Sequence, residues 1–251
     1  MIAQVLHPYN MRRALEQVVK NGGSAGVDGM SVTQLTAHIR ERYTIVKEQL
    51  QKGVYLPQPI LGVEIPKANG KMRLLGIPTV QDRMLQQAVS QVMMPLFETE
   101  FSVISYGFRP GRNARNAVGK AWEYIHNGYT HIVDIDLKNF FDEVDHCLLL
   151  NLVYRKVKCK RTLSLIKKWL RVPIKIKGKL YKRRKGVPQG SPLSPLLSNI
   201  LLHELDKELE RKGLKAVRYA DDFSIYTKSA TQARKVKNEI EHFLKTKLQL
   251  T

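Results

Sequence analysis

The sequence predicts an α+β fold in which a largely antiparallel β-sheet packs against helices. Helical and strand patterns follow one another irregularly, without the repeated β-α-β period that a parallel sheet requires. Two segments, 172–180 and 216–226, read as antiparallel hairpins, and the first has Gly178 at its turn. Apolar residues make up 43% of the 251 residues, which is enough to bury the core of one large domain or of two lobes.

Four segments show the apolar periodicity of amphipathic helices. We expect the first to begin at Asp82 as its N-cap, the second to extend over about 112–127, the third to follow Pro192 and the last to begin near Ser229. The residues expected to face the core are Leu85, Val89, Val92, Met93 and Leu96; Ala114, Ala117, Val118, Ala121, Trp122 and Ile125; Leu193, Leu196, Leu197, Ile200, Leu201, Leu205 and Leu209; and Ala233, Val236, Ile240 and Phe243.

Strand patterns lie between these helices. Residues 131–137 alternate in the manner of a half-buried strand with β-branched residues. Residues 172–180 read as a hairpin with a basic face that turns at Gly178. Residues 216–226 read as a second hairpin, and its tip carries Asp221 and Asp222.

The charge is strongly basic and unevenly distributed. The chain has 42 Lys and Arg against 22 Asp and Glu, a formal net charge of +20. No acidic residue occurs from His146 to His203, whereas 15 Lys and Arg lie between Arg155 and Lys185. Such a block in a foldable chain predicts a surface that binds a nucleic-acid backbone. The alternative is a solvated basic face without a ligand.

Other features bear on the compartment. Cys147 and Cys159 have neither a second cysteine pair nor a His doublet nearby, which argues against a zinc site and a disulfide framework. No apolar run approaches the ~18 residues of a membrane span, and the first residues do not resemble a signal or transit peptide. We therefore expect a cytoplasmic protein with no membrane partner.

Acidic residues mark the candidate catalytic site. Asp221 and Asp222 are adjacent at a hairpin tip that lacks the usual Gly or Asn, so turn chemistry alone does not explain them. Carboxylates in this arrangement suit hard cations such as the Mg²⁺ pair of phosphoryl-transfer enzymes. Asp136 at the end of an apolar strand is the best third ligand, and Asp134 is its local rival. A solvated acidic turn is the alternative.

At these residues the chain resembles a known family. Asp136 with Phe140-Phe141-Asp142, residues 186–195 and Tyr219-Ala220-Asp221-Asp222-Phe223 resemble, in this order, the catalytic blocks of reverse transcriptases. Residues 75–83 and 106–113 resemble the type encoded by group II introns. The resemblance covers nearly the whole chain, from residues 26–29 onward.

The resemblance implies a right-hand polymerase made of fingers and palm. Asp136, Asp221 and Asp222 match the three metal-binding aspartates, with Mg²⁺ as the cofactor and Mn²⁺ as a possible substitute, whereas Asp134 does not match and is expected to be structural. We expect fingers in 1–85 and 146–186 and palm in 86–145 and 187–251. The helical thumb of this family is expected to be absent from these 251 residues.

The resemblance also implies a set of nucleotide-binding residues. Phe141 matches the bulky side chain that lies against the sugar and rejects a ribose hydroxyl, and Gln189 matches a glutamine near the incoming nucleotide. Lys67 and Arg73 flank a turn at Asn69-Gly70 and resemble the pair that clamps the triphosphate, with Lys71 as a spare cation.

Further basic residues are candidates for contacts with nucleic acid. Arg183, Arg184 and Lys185 directly precede the Gln189 loop. Arg109 and Arg112 form a second cluster beside the aromatic residues Tyr106 and Phe108, of which Phe108 is expected to pack in the interior. Recognition of RNA is then expected through A-form shape and 2′-hydroxyl groups.

The resulting hypothesis is an RNA-directed DNA polymerase that also binds its intron RNA during splicing and retrohoming. Its expected partners are an intron RNA template, a DNA or RNA primer and deoxynucleoside triphosphates, and a homodimer is a possible assembly. The main alternative is a maturase whose role in this form is the folding of intron RNA. A palm polymerase that synthesises RNA is a third reading, against which Phe141 argues.

Overall fold

The computed structural model describes residues 1–66, 70 and 72–250 of the chain. Its helices are α1 (Ile2–Val5), α2 (Pro8–Asn21), α3 (Leu35–Lys52), α4 (Val80–Glu98), α5 (Ala114–His126), α6 (Phe140–Glu143), α7 (His146–Lys156), α8 (Lys160–Arg171), α9 (Ser194–Arg211) and α10 (Ala230–Phe243). A short 3₁₀ turn at Val32–Gln34 precedes α3, and a π-helical turn at Leu244–Leu248 follows α10.

The strands form two sheets. The strands are β1 (Ile60–Pro66), β2 (Met72–Ile77), β3 (His131–Ile135), β4 (Ile174–Ile176), β5 (Lys179–Tyr181), β6 (Lys215–Tyr219) and β7 (Asp222–Thr227). One sheet has the order β2-β1-β4-β5 and is antiparallel except for the parallel pair β1–β4. The other has the order β3-β7-β6 and is antiparallel throughout. The predicted α+β class with a largely antiparallel sheet is confirmed.

Helices cover both faces of the three-stranded sheet. Phe223 and Ile225 of β7 belong to the main core, which also holds the apolar residues of α9 and α10. Val217 and Tyr226 point to the other face, because successive strand residues alternate. There they form a smaller cluster with residues of α5. The strand ends that carry the acidic residues are therefore held from two sides.

The two C-terminal helices follow the sequence prediction. In α9, every apolar residue from Leu196 to Leu209 that we expected to face the core is buried. The helix ends before Gly213, which has a φ of +65°. The predicted start of α10 is also confirmed, because the Ser229 side chain accepts a hydrogen bond from the Gln232 backbone N–H.

The predicted N-cap role of Asp82 is wrong. The cap of α4 is Thr79, whose hydroxyl accepts a hydrogen bond from the Asp82 backbone N–H. The Asp82 carboxylate is buried and accepts hydrogen bonds from the Tyr55 hydroxyl and from Trp169 Nε1, both at 2.9 Å. Burial raises the pKa of Asp82, and these donors oppose that rise. Through these hydrogen bonds, the Asp82 carboxylate links α4 to α8 and to the segment before β1.

The predicted buried face of α5 is also wrong in part. Val118 and Trp122 are 55% and 58% exposed, and Ile125 is exposed as well. The buried residues are Ala117 and Tyr124, which pack on the sheet. Sequence periodicity identifies an apolar stripe but not which side of the helix meets the sheet. Leu96, in the last turn of α4, is likewise exposed.

Two observations concern the surroundings of the protein. No helix within the described ranges is both long enough and apolar enough to cross a bilayer. Cys147 and Cys159 are free thiols.

Candidate active site

The acidic hairpin tip is a two-residue turn between β6 and β7. Tyr219 and Asp222 form the last cross-strand pair, so Ala220 and Asp221 make the turn itself. Ala220 has a φ of +59°, a left-handed conformation that is unusual for a residue with a Cβ atom. Asp221 thereby lies beyond the last strand pair, and Asp222 is the first residue of β7.

The sheet register brings a third carboxylate to this tip. Ile135, the last residue of β3, pairs with Phe223 of β7. Asp136 is the next residue after this strand, so continuing the register would bring it toward Asp222. Asp134 pairs with Ser224 on the same face and accepts a hydrogen bond from its hydroxyl at 2.8 Å.

These carboxylates also repel one another. The pKa of Asp222 is raised, first by partial burial and then by repulsion from Asp221, Asp136 and Asp134. Because like charges at this tip disfavour one another, a cation placed among them would stabilise the ionised form.

The donor set fits a hard divalent cation, although the described residues do not form a finished ligand shell. Within the described ranges, no three His, Cys, Asp or Glu side chains already stand in the geometry of a metal site. Asp136, Asp221 and Asp222 supply carboxylate oxygens, which are the ligands that Mg²⁺ prefers. Their mutual repulsion is the observation that favours a cation here.

A fully buried ion pair between β6 and α9 holds the hairpin tip in place. Arg218 of β6 and Asp206 of α9 are both 0% exposed and form two hydrogen bonds of 2.6 and 2.7 Å. Arg218 Nη1 donates to Asn199 Oδ1 at 2.9 Å and to the Ala220 carbonyl at 2.8 Å. Arg218 Nη2 also donates to the Ser105 hydroxyl at 2.7 Å. The turn that carries Asp221 is therefore tied to α9 and to the 102–109 loop.

The same loop lies against the Ala220–Asp221 turn at Gly107. A Cβ atom at this position would lie 2.2 Å from the Ala220 backbone nitrogen, so only glycine permits the approach. The Gly107 carbonyl accepts a hydrogen bond from Asn199 Nδ2 at 2.9 Å. Asn199 thus connects both Gly107 and Arg218 to α9.

A cavity of about 660 Å³ opens beside Asp221. Its lining includes Arg73, Phe141 and Gln189, three of the residues for which the sequence predicts nucleotide contacts. Lys67, the fourth, lies outside the described residues, as do Asn69 and Lys71. The cavity thus lies between the turn that carries Asp221 and strand β2.

Backbone hydrogen bonds fix Phe141 and Gln189 relative to β2. The Phe141 carbonyl accepts from the Val187 N–H at 2.7 Å, and the Phe141 ring packs edge-on against buried Phe140 at 5.2 Å. The Gln189 carbonyl accepts from the Gly76 N–H at 2.8 Å. The segments at Gly76, Phe141 and 187–189 are therefore joined to one another by backbone hydrogen bonds.

The predicted role of Arg109 in nucleic-acid binding requires correction. Its side chain is 4% exposed and pairs with Glu98 at 2.8 Å. Its Nη1 also donates to the carbonyls of Ser102 and Ser105. An internal guanidinium with these acceptors cannot reach a phosphate, so Arg109 is a structural residue of the 98–109 region.

Arg112 and Phe108, which lie near Arg109 in the sequence, are less buried than Arg109. Arg112 Nη1 donates to the Val103 and Ser105 carbonyls, and its guanidinium lies over the Tyr106 ring at 5.2 Å. Its nucleic-acid contact stays a prediction. Phe108, expected in the interior, is 44% exposed with a φ of +60° and lines the cavity beside Asp221. The expectation that Phe108 packs inside is wrong.

The remaining predicted contacts, Arg183, Arg184 and Lys185, line a separate pocket rather than the cavity at Asp221.

The sequence analysis did not identify three residues that support or line the candidate site. Arg218 and Asp206 each interrupt an apolar pattern, the first in strand β6 and the second on the buried side of α9, and these interruptions were the available signal. Arg83 lines the cavity and donates to the carbonyls of Gly22 and Ser24, which no local pattern indicates.

Comparison with known proteins gives matches over most of the chain. The family model described as reverse transcriptase (RNA-dependent DNA polymerase) matches residues 65–250. Protein YkfC of Escherichia coli is 38% identical over 199 residues, covering 78% of this chain and 52% of that protein. Group II intron-encoded protein LtrA of Lactococcus lactis is 34% identical over 229 residues, covering 91% of this chain and 37% of that protein.

A solved structure matches over nearly the full length. A chain of the partial Cas6-RT-Cas1–Cas2 complex superposes with a TM-score of 0.60 at 26% identity, covering 98% of this chain and 42% of that one. This chain spans about half the length of YkfC and little more than a third of LtrA. The family resemblance that the sequence motifs predicted is confirmed.

Proposed function

The chain belongs to the reverse transcriptase family, and we propose that it is the RNA-directed DNA polymerase region of a group II intron-encoded protein. The observation that supports this proposal is the β3–β7 register, which brings the end of β3, directly before Asp136, to the start of β7 at Asp222, beside a cavity lined by Arg73, Phe141 and Gln189. The maturase alternative without polymerisation is not favoured, because RNA folding alone does not call for this arrangement.

We propose Asp136, Asp221 and Asp222 as the ligands of divalent cations. Reverse transcriptases generally use such ions, and Mg²⁺ is the proposed species here, with Mn²⁺ as a substitute. Divalent cations held by these carboxylates would supply activation of the primer 3′-hydroxyl and charge stabilisation of the departing pyrophosphate. The chain's own contribution is to gather the carboxylates at a turn that Arg218 holds in place.

The proposed nucleotide site lies in the cavity beside Asp221. Arg73, with Lys67 as its proposed partner, clamps the triphosphate of a deoxynucleotide through charge-assisted hydrogen bonds. Gln189 lies near the base and sugar, and Phe141 closes the space beside the sugar C2′. Binding of the nucleotide brings its α-phosphate to the carboxylates, which is a contribution of orientation.

The proposed partners are an intron RNA template, a DNA or RNA primer and deoxynucleoside triphosphates, with the protein acting in the cytoplasm. The net charge of +20 supports contacts with nucleic-acid backbone, for which Arg112, Arg183, Arg184 and Lys185 are the proposed residues. A role in splicing and retrohoming, a homodimer, and the division into fingers (1–85 and 146–186) and palm (86–145 and 187–251) belong to the same proposal.

Primer extension tests the proposal directly. We expect the chain, given an RNA template, a DNA primer, Mg²⁺ and the complementary deoxynucleotide, to add that nucleotide, and to lose this activity when EDTA removes the metal. Single-nucleotide addition is the appropriate measurement because it does not depend on processive grip of the duplex. RNA binding without any addition would contradict the polymerase proposal and support the maturase alternative.

Replacement of Phe141 tests how deoxynucleotides are selected. We expect Phe141→Val to raise incorporation of the complementary ribonucleotide by about 10²-fold relative to the deoxynucleotide, because removing the ring opens the space beside C2′. The ratio of kcat/KM for the two nucleotides measures this effect. Phe141→Tyr is the control, since it keeps the ring and should keep discrimination within about three-fold. An unchanged ratio in Phe141→Val would show that another residue rejects the ribose.

A further inference from the structure

His146, the first residue of α7, is a buried histidine that takes no part in the proposed chemistry. It is 2% exposed and lies outside the lining of the cavity beside Asp221. Its Nε2 atom lies 2.8 Å from the carbonyl oxygen of Gly186, 40 positions further along the chain. A polar ring is costly to bury unless it makes a hydrogen bond, so the contact with Gly186 accounts for a histidine at this position.

The Nε2 atom of His146 is the donor in this contact. Burial lowers the pKa of the ring, and the hydrogen bond to Gly186 opposes that shift. The guanidinium groups of Arg183 and Arg171 lower the pKa further, whereas the Asp145 carboxylate raises it. The ring is therefore neutral at neutral pH and carries one proton. A carbonyl oxygen only accepts, so that proton lies on Nε2, and buried Nδ1, which has no partner among the described residues, carries the lone pair.

The peptide unit between Gly186 and Val187 is held at both of its polar groups. Its carbonyl oxygen accepts from His146 Nε2, and its N–H donates to the Phe141 carbonyl at 2.7 Å. The two bonds leave the peptide plane in opposite directions, so a reversed plane would lose both. The orientation of this one peptide unit therefore decides whether the Phe141 carbonyl keeps its donor.

The backbone alone does not fix this peptide plane. Gly186 has a φ of +85°, and a Cβ atom there would lie 2.7 Å from the Phe141 carbonyl oxygen, so the close approach requires glycine. Glycine also has more accessible backbone conformations than any other residue, and a side chain must then select one of them. His146 is the side chain whose donor meets the Gly186 carbonyl.

We propose that His146 is a positioning residue for sugar selection, which orients the Gly186–Val187 peptide and thereby holds Phe141 where its ring excludes a ribose hydroxyl. The Phe141 ring is only partly buried and packs edge-on against Phe140, so the backbone bond to Val187 is what ties it to the 186–189 segment. The inference rests on the proposed function, because it takes Phe141 to lie beside the sugar of the nucleotide.

A pair of amide substitutions tests whether the reach of the side chain matters. A glutamine amide nitrogen can occupy the position of histidine Nε2, whereas an asparagine amide nitrogen corresponds to Nδ1 and falls short of Gly186. The measurement is kcat/KM for the complementary ribonucleotide divided by kcat/KM for the deoxynucleotide. We expect His146→Asn to raise this ratio about ten-fold and His146→Gln to keep it within about three-fold.

This ratio separates positioning from a general loss of structure. A smaller fraction of folded protein lowers both values of kcat/KM equally and leaves their ratio unchanged. His242→Asn makes the same change at an exposed position of α10, and should keep the ratio within about two-fold. A wild-type ratio in folded His146→Asn, or an equal rise in His146→Gln and His146→Asn, would overturn the inference.

A double variant shows whether His146 acts through Phe141. The ring is absent from Phe141→Val, so adding His146→Asn to it should change the ratio by less than about two-fold. Residues that act independently would instead give additive effects on the free-energy scale. A further ten-fold rise in the double variant, about the effect expected of His146→Asn alone, would show that His146 acts on the ratio by another route and would overturn the inference.

Two measurements need no nucleotide addition. In the wild-type chain labelled with nitrogen-15 histidine, NMR should show His146 with its proton on Nε2 at neutral pH, and a proton on Nδ1 would contradict the inference. Amide hydrogen exchange in residues 185–189 should be about ten-fold faster in His146→Asn than in the wild type, and unchanged in His146→Gln.

These measurements also separate the inference from the polymerase proposal. A wild-type chain that adds no nucleotide contradicts the polymerase proposal, whereas unchanged exchange in folded His146→Asn overturns the role of His146 whether or not the wild type is active. If His146→Asn does not fold, the wild-type tautomer and the ratio for His146→Gln decide the question, and a ratio raised about ten-fold in His146→Gln would overturn the inference.

Discussion

Replacing Asp222 with asparagine should reduce the rate of single-nucleotide addition by at least about 10³-fold, because a carboxylate at the proposed metal site is lost while the side-chain shape is kept. Affinity for the primer–template should stay within about two-fold of the wild type, since RNA binding depends on basic residues elsewhere. Rapid-quench measurement at saturating primer–template and nucleotide, together with anisotropy binding, checks both expectations.

The neighbouring Asp134 provides a matched control for Asp222. It lies on the same face of the sheet and contributes to the same repulsion, but its carboxylate accepts a hydrogen bond from Ser224. We expect Asp134→Asn to retain the rate within about five-fold, since the amide oxygen can still accept that bond. Equal loss of activity in the two variants would show that Asp134 belongs among the catalytic carboxylates, and normal activity of Asp222→Asn would contradict the proposed metal site.

Replacing Arg218 with methionine should have the second largest effect. The substitution leaves the Asp206 carboxylate buried without its partner, which costs about 3–5 kcal/mol of unfolding free energy. The Ala220 carbonyl also loses its donor, so the turn that carries Asp221 is no longer held. We expect the rate of nucleotide addition to fall about 10²-fold, the scale associated with a displacement of reacting groups by about 1 Å.

A double variant separates the stability effect from the positioning effect. Arg218→Met combined with Asp206→Leu replaces the ion pair with apolar side chains, which often restores stability. We expect urea unfolding to return close to the wild-type midpoint while the rate remains low and the KM for the nucleotide changes little. Recovery of the rate together with stability would show that the ion pair acts on folding alone and does not position the turn that carries Asp221.

The core of the candidate site could be predicted from local pattern. Alternation in 131–137 marks one strand and alternation in 216–226 marks one hairpin. Asp136 and the Asp221-Asp222 pair lie where these strands end or turn. Pairing the strands by their apolar faces then brings Asp136 toward Asp222. The long apolar helix α9 could also be predicted from the sequence, because most of its residues are buried.

Features that depend on a distant partner could not be predicted. In the sequence, Arg109 has the pattern of a surface cation. In the structure, its guanidinium donates to Glu98 and to two loop carbonyls. Asp82 resembles an N-cap because it precedes an amphipathic run, yet Tyr55 and Trp169, far away in sequence, make it an internal acceptor. Trp122 lies on a stripe whose period is helical, but the period does not say where the sheet lies.

The parallel pairing of β1 with β4 has a consequence for how the chain reaches its native state. Ile60 pairs with Ile174, so the four-stranded sheet unites segments separated by the whole of α4 to α8. On the ribosome, this sheet cannot be completed until synthesis has passed Tyr181, the last residue of β5. Such a high contact order slows folding, and β1 and β2 must persist as an unprotected hairpin edge while the intervening residues emerge.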